Sequence, residues 1–310
     1  MIALLNGVFL RHDATHRLGI LNRAGYSQWG TIGAVSILVS ILLSTLATHR
    51  FIRNLSAPPP RKASLGRLVR EILSTLSNRS LLALVVSALF SALGGGVTAA
   101  MSPYMNLYFW ELSPQLVGLI TLTGIPATLL GAVLAPMLSR RFDKKPTMMA
   151  LFAVALVTSL APVGLRLIGL MPANGTPLLA AILVADTFLG ILLNLMGFII
   201  VASMIGDVVE DNAVRTGVRS EGLLFAANGL IPKLSAGAGA FLGSAIVTLV
   251  HLPSHAQQGT IPAPMLHQLG LIYLPVSAVM NGLAIAVLAG YRIDRATHER
   301  NLATLAGTGG

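Results

Sequence analysis

TPLLAAILVADTFLGILLNLMGFIIVASM, residues 176–204, decides what kind of protein this is. A helix crosses the hydrocarbon core of a bilayer with about 20 mostly apolar residues, and this run contains one ionisable side chain, Asp186. Six further runs share its character: 28–48, 80–104, 114–138, 147–170, 221–250 and 266–291. The expected fold class is therefore an all-α integral membrane protein of about seven transmembrane helices. Residues 1–10 are apolar but too short to span, and they lack the basic start and small-residue cleavage site of a signal peptide. They read as the end of a preceding helix, so an upstream portion is expected to be missing.

The composition agrees. Of 310 residues, 54% are hydrophobic and 10% charged, and the mean hydropathy is +0.77; a soluble chain carries about 25% charged residues. The 31 glycines and 16 prolines suit helices packed in lipid, where both are commoner than in soluble helices. With no cysteine, disulfide frameworks, thiolate metal sites and cysteine nucleophiles are excluded. The net charge of +10 sits in short segments between apolar runs and not on a soluble face, which argues against a nucleic-acid partner and for contact with the lipid bilayer.

Lysine and arginine report orientation. Sixteen of them lie in the segments after the first, third and fifth spans and in the tail, against four in the alternate set. The segment 49–79 and the C-terminus are thus expected to be cytoplasmic, in the cell membrane (the inner membrane of a bacterium). Residues 49–79 form a linker with Pro58, Pro59 and Pro60, then an amphipathic stretch opening at Ser64 that reads as a surface helix or a solvated connector.

An ionisable group near the bilayer centre costs about 2.5–3.5 kcal/mol on insertion scales and marks function by default. Asp186 and Lys233 enter from opposite sides to similar depth. On neighbouring helices they would pair, either as a structural ion pair or in ligand or proton handling. Gly190, Asn194 and Gly197 follow Asp186 at helical spacing; Gly229, Ala236, Ala240 and Ser244 accompany Lys233. Such small stripes serve close helix packing or a water-filled path. Gly94, Gly95 and Gly96, with Pro126 and Pro232, read as helix breaks of the kind that transporters use for gating.

The most specific segment is GDVVEDNAVRTGVRSEG, residues 206–222, read as a cytoplasmic loop and followed by the span bearing Lys233. It resembles the signature of the glycoside–pentoside–hexuronide:cation symporters, the melibiose-permease-like branch of the major facilitator superfamily. Asp207 and Glu210 match its paired acids, Arg219 its arginine, Glu221 the following acid, and Lys233 the lysine of its eleventh helix. Asn22 to Tyr26, Ala47 to His49, and Ser139 to Lys145 are similar to further borders of that family, although Asp143 replaces its usual glycine.

The resemblance implies that the chain holds helices six to twelve of a major facilitator fold: 1–27 the end of a preceding helix and an external loop, 28–48 the sixth-helix equivalent, 49–79 the inter-half linker, 80–292 a six-helix half and 293–310 a cytoplasmic tail. It implies a cation-coupled carrier of sugars, glycosides or a related small solute, with Na+ or H+ as coupling cation and no other cofactor. The family's cation site would lie in an absent N-terminal half or a partner chain. Asp207, Glu210, Arg219 and Glu221 would form a cytoplasmic charge lock, and Lys233, with Asp186 and Asn194 added on physical grounds, would line the cavity. A lysolipid-type carrier and a non-transporting half-transporter remain open. An enzyme is not expected: His-Glu-x-x-His and Gly-x-Ser-x-Gly are missing, and the pairs His12/His16 and His251/His255 have no carboxylate set to complete a metal site.

Overall fold

The computed structural model describes residues 23–50, 78–216, 221–253 and 258–307. The linker stretch 51–77, Arg219, and His12, His16 and His255 lie outside the described residues. Two compact units divide the chain, 1–65 and 66–310. The first contains α1 (Arg23–His49), a span whose side chains are nearly all exposed.

Among its described residues the second unit holds eight α-helices: α2 (Arg79–Tyr104), α3 (Pro114–Leu122), α4 (Gly124–Arg141), α5 (Lys144–Leu167), α6 (Pro177–Thr216), α7 (Glu221–Leu249), α8 (Ala263–Leu288) and α9 (Arg295–Gly307). With α3 and α4 forming one span, seven helical stretches among the described residues are long and apolar enough to cross a membrane. Local chemistry sets their ends. The Asn78 side chain caps α2 by accepting from the Ser80 and Leu81 amides (2.9 and 3.3 Å). Ser113 caps α3 through the Leu116 amide, with Pro114 at the first helical position. The expected break in the third span is present at Thr123, where Pro126 has no N–H to offer the Leu122 carbonyl.

Helix α2 packs on α7 and α8, α6 on α4 and α5, and α8 on α5. Two apolar layers result. Met148, Met196, Ile200, Met204 and Leu288 centre one; Val97, Met101, Phe109, Val163, Leu269 and Tyr273 centre the other. Because lipid tails are as apolar as these side chains, close backbone approach matters more than burial for holding such helices together. The α2–α7 crossing shows this. A Cβ on Gly96 would collide with the Ser235 carbonyl, one on Gly239 with the Gly96 backbone, and one on Gly243 would lie 2.7 Å from the Ala100 Cβ. The Ser235 hydroxyl donates across the same seam to the Ala92 carbonyl (2.7 Å).

Three expectations are corrected here. The Gly94–Gly96 triad is not a break: α2 runs through it without interruption, and its small volume serves the crossing. The segment 206–216 is not a loop but the continuation of α6, which is 40 residues long. The small stripe of the sixth span that meets a neighbour is Ser235, Gly239 and Gly243, one position off the stripe that accompanies Lys233. A fourth feature was not foreseen: Met105–Phe109 is a π-helical turn closing the α2 span. Such turns recur at functional sites.

Candidate functional site

Three arrangements carry the chemistry. The first is a pocket of about 190 Å³ at membrane depth, where Asp186 of α6 meets Thr98 and Ser102 of α2, Asn106 of the π turn, Ser159 of α5, Thr187, and Tyr273 of α8. The π turn contributes to the lining through Asn106, and through Met105 beside it. The polar side chains are linked to one another: Asn106 donates to the Ser102 hydroxyl (3.3 Å), and the Tyr273 hydroxyl donates to Thr98 (3.4 Å). Trp110 closes one wall, with the Arg166 guanidinium stacked 5.4 Å from its ring centre.

The second is the face of α7 that looks away from α2. Lys233 is exposed there, together with Gly229, Ala236, Ala240 and Ser244, and with Leu230 and Phe241 beside them. The expected Asp186–Lys233 pair is not made. Helices α6 and α7 are not among the closely packed pairs, and the Asp186 pocket is lined without Lys233. The reason is the Gly96–Gly239 seam, which turns α7 toward α2 and leaves the lysine about a third of a turn away from it. Asn194 does not join Asp186 either. It is exposed, and its amide donates to the Gly190 carbonyl of its own helix (2.8 Å), while Gly197 is buried against Met148 and Phe152.

The third lies at the basic end of the bundle, where the extended α6 receives α9. Asp207, only 5% exposed, accepts from the Lys144 ammonium through both carboxylate oxygens (2.6 and 2.7 Å). The ring of His298, on α9, lies 3.2 Å from Asp207 and 3.0 Å from Glu210. Asp211 accepts from Asn78 of the α2 cap (2.9 Å) and from Asn301 of α9 (3.3 Å). One turn and a half of α6 thus ties together three other helices. Burial, helped by the negative charge of Asp207 and Asp211, pushes the Tyr291 phenol well above the ordinary tyrosine range. A cavity of about 660 Å³ opens beside this cluster, walled by Arg140, Lys145, Arg292 and Arg295.

Asp207, Glu210 and His298 could hold a metal, since their donor atoms lie within 4.8 Å of one another. Lys144 already supplies a cation to both oxygens of Asp207, so the cluster is compensated without one. Of the residues expected in the charge lock, Asp207 and Glu210 are brought together. The backbone of Glu221 starts α7, while its side chain and that of Pro232 lie outside the description. Lys144, Asp211, Tyr291, His298, Asn78 and Asn301 were not singled out as partners. The 207/210/211 spacing, which puts three acids on adjoining turns of a helix, is the signal that could have found them had the segment been read as helical.

The geometry is that of a multi-pass membrane protein with polar groups gathered at depth and charges gathered at one end. No curated protein matches the chain. The pattern of the MFS/sugar transport protein family matches residues 1–295, nearly the whole length. The chain belongs to that family.

Proposed function

We propose that the chain works as a secondary active transporter, a cation-coupled symporter of sugars, glycosides or a related small solute. The motif of residues 206–222 resembles that of the melibiose-permease-like carriers, and the mechanism is alternating access between two helical bundles. The observation that carries this reading is Lys233. A cation about 18 Å along α7, by the rise of 1.5 Å per residue, is exposed on a face of small residues. Such a charge is tolerated where it meets water or protein and not acyl chains. The face therefore suits the wall of a solute path whose other wall is a second bundle, either upstream sequence or a partner chain.

In this reading the basic end is cytoplasmic, as the lysine and arginine distribution implies. Asp207 and Glu210, with Arg219 and Glu221, form the lock that biases one conformation. The break at Thr123 and Pro126 gives one span a bend point, whereas α7 runs through Pro232 without interruption, so the break expected there is not made. The coupling cation is Na+ or H+. A lysolipid-type substrate is favoured by one observation: Leu230 and Phe241 are exposed beside Lys233, an arrangement that suits an acyl chain with an anionic head.

The test is uptake into proteoliposomes of a radiolabelled glycoside, and of a lysophospholipid in parallel, under imposed Na+ or pH gradients. The chain is assayed with and without a second bundle. Gradient-driven accumulation that Lys233→Ala reduces at least tenfold supports the proposal. Turnover that ignores the gradient, or full accumulation in Lys233→Ala, contradicts it.

A further inference from the structure

The separation of Asp186 from Lys233 leaves a carboxylate at membrane depth without a compensating cation. Helices α2, α3, α4, α5 and α9 pack against α6. At the level of the pocket, the ionisable group they and α8 contribute to the lining is the Tyr273 phenol. Arg166 lies behind Trp110, against whose ring and that of Phe109 it stacks, and Glu111 is close to Arg166, outside the lining. The charges of the basic end, beginning at Asp207, are 21 residues further along α6, about 30 Å by helical rise. Among the described residues Asp186 has neither an ion pair nor a hydrogen bond.

A lone ionised carboxylate in such a place is costly, and neutralising it is the ordinary remedy. Two ligands can do so. A hard metal cation demands a cage of about six oxygens. Here the pocket has one carboxylate; Asn106 and Ser102, and Tyr273 and Thr98, are engaged with one another, Ser159 donates to the Leu156 carbonyl of its own helix (3.1 Å), and beyond Thr187 the walls are apolar, with Trp110, Leu112, Ile120, Val163 and Leu183 among them. A proton needs a single acceptor atom. The cavity, about 190 Å³, is roomy enough to admit the few waters that would deliver it, at about 30 Å³ of liquid volume each.

We propose that the Asp186 pocket is a proton-binding site of this bundle, loaded and emptied as the carrier works. This rests on the transporter reading and deepens it by assigning H+ as the ion held in this half. It also gives the π turn a purpose, because Asn106 and Ser102 furnish the polar wall along which the proton arrives. Protonation breaks no covalent bond: the carboxylate oxygen accepts H+ from water, and returns it to water when the site opens.

The experiment is infrared difference spectroscopy of the full chain in lipid, titrated between about pH 5 and pH 8. It needs no knowledge of the solute. The expected result is a carboxylic-acid C=O band that titrates within this interval and shifts in D2O. It should be lost in Asp186→Asn and displaced, not lost, in Asp186→Glu. The wild-type band and its D2O shift stand even if a variant misfolds, and size-exclusion profiles identify misfolded variants. Absence of the band in wild type, or its persistence in folded Asp186→Asn, overturns the proposal. So does a band that vanishes on adding Na+ but not K+, which makes the pocket a sodium site. Because the readout is independent of uptake, a band without transport would fail the transporter reading alone, and transport without a band would fail this proposal alone.

Discussion

Three adjacent glycines in α2 should respond to the same substitution in three different ways. At Gly95 an added methyl meets nothing within 4 Å. Gly95→Ala should then be neutral or stabilise by up to about 0.5–1 kcal/mol, the cost of a mid-helix glycine relative to alanine. At Gly94 the methyl would lie 2.8 Å from the Asn281 amide nitrogen. That side chain can swing away by giving up its bond to the Ser277 carbonyl (2.9 Å), a loss of about 1 kcal/mol. At Gly96 the obstacle is the backbone of Ser235 and Gly239, which has no rotamer to change. The α2–α7 crossing must widen, at about 1–3 kcal/mol for overpacking, and the Ser235–Ala92 hydrogen bond weakens with it for about 1 kcal/mol more. Gly96→Ala should therefore lie roughly 3 kcal/mol below Gly95→Ala, about two orders of magnitude in the folding equilibrium. Equilibrium unfolding in mixed micelles, followed by circular dichroism, measures the order directly. Equal losses at Gly95 and Gly96 would refute the seam and restore the triad as a hinge.

Other consequences follow from the basic end. Removing Lys144 as Lys144→Met strands a buried carboxylate, so it should cost about 2–3 kcal/mol, and a Lys144→Met/Asp207→Asn double-mutant cycle should return a coupling of about 1–3 kcal/mol; a coupling near zero would mean the pair is only a surface contact. The Thr297 hydroxyl, and after it the Thr297 amide (2.8 Å), donate to Asp294 and hold its carboxyl below the usual aspartate range. The contribution of this cap to α9 is present above the ordinary aspartate value and lost as pH falls through the depressed one. Hydrogen-exchange protection of α9, measured relative to the intrinsic rate at each pH, should fall in acid for wild type, and already at neutral pH in Asp294→Ala, while unchanged protection in that variant would remove the cap. Tyr291 has the opposite sign. Above about pH 10 the unfolded chain releases the phenolic proton while the folded one retains it, so stability falls by up to about 1.4 kcal/mol per pH unit. Tyr291→Phe should lessen that fall, and an identical pH profile in the variant would show that the phenol ionises freely.

How much of this was legible in the sequence depends on the kind of signal. Span count follows from length and hydropathy alone, and the seven helices are close to where the apolar runs place them, save that α6 continues twelve residues beyond its run, to Thr216. Break positions were poorly legible: one span is interrupted beside Pro126, but α2 runs unbroken through Gly94–Gly96, and α4, α5, α7 and α8 through Pro136, Pro162, Pro232 and Pro275, because neighbouring helices can hold such a segment together without a break. Which face of α7 meets a neighbour was not legible. Two stripes of small residues, Ser235/Gly239/Gly243 and Gly229/Ala236/Ala240/Ser244, are equivalent by periodicity, and only the match to Gly96 and Ala100 on α2 selects one. That selection then carries Lys233 away from Asp186, so depth predicted a pair where azimuth forbids it. The pocket residues Thr98, Ser102, Asn106, Ser159 and Tyr273 come from three helices and a π turn, and no local pattern links them. Asp207 and Glu210 were found through motif, whereas Lys144 and His298, at distances of 63 and 91 positions from Asp207 along the chain, were not.

The central claim, that the Lys233 face of α7 borders an aqueous solute path, has a direct test in a chain with no native cysteine. Single cysteines introduced at 229 to 249, one at a time, would be exposed to a membrane-impermeant maleimide in proteoliposomes. The account predicts labelling at 229, 233, 236, 240 and 244, with protection at 235, 239 and 243 in the α2 seam. Labelling without helical periodicity, or confined to the two ends of the helix, would contradict it.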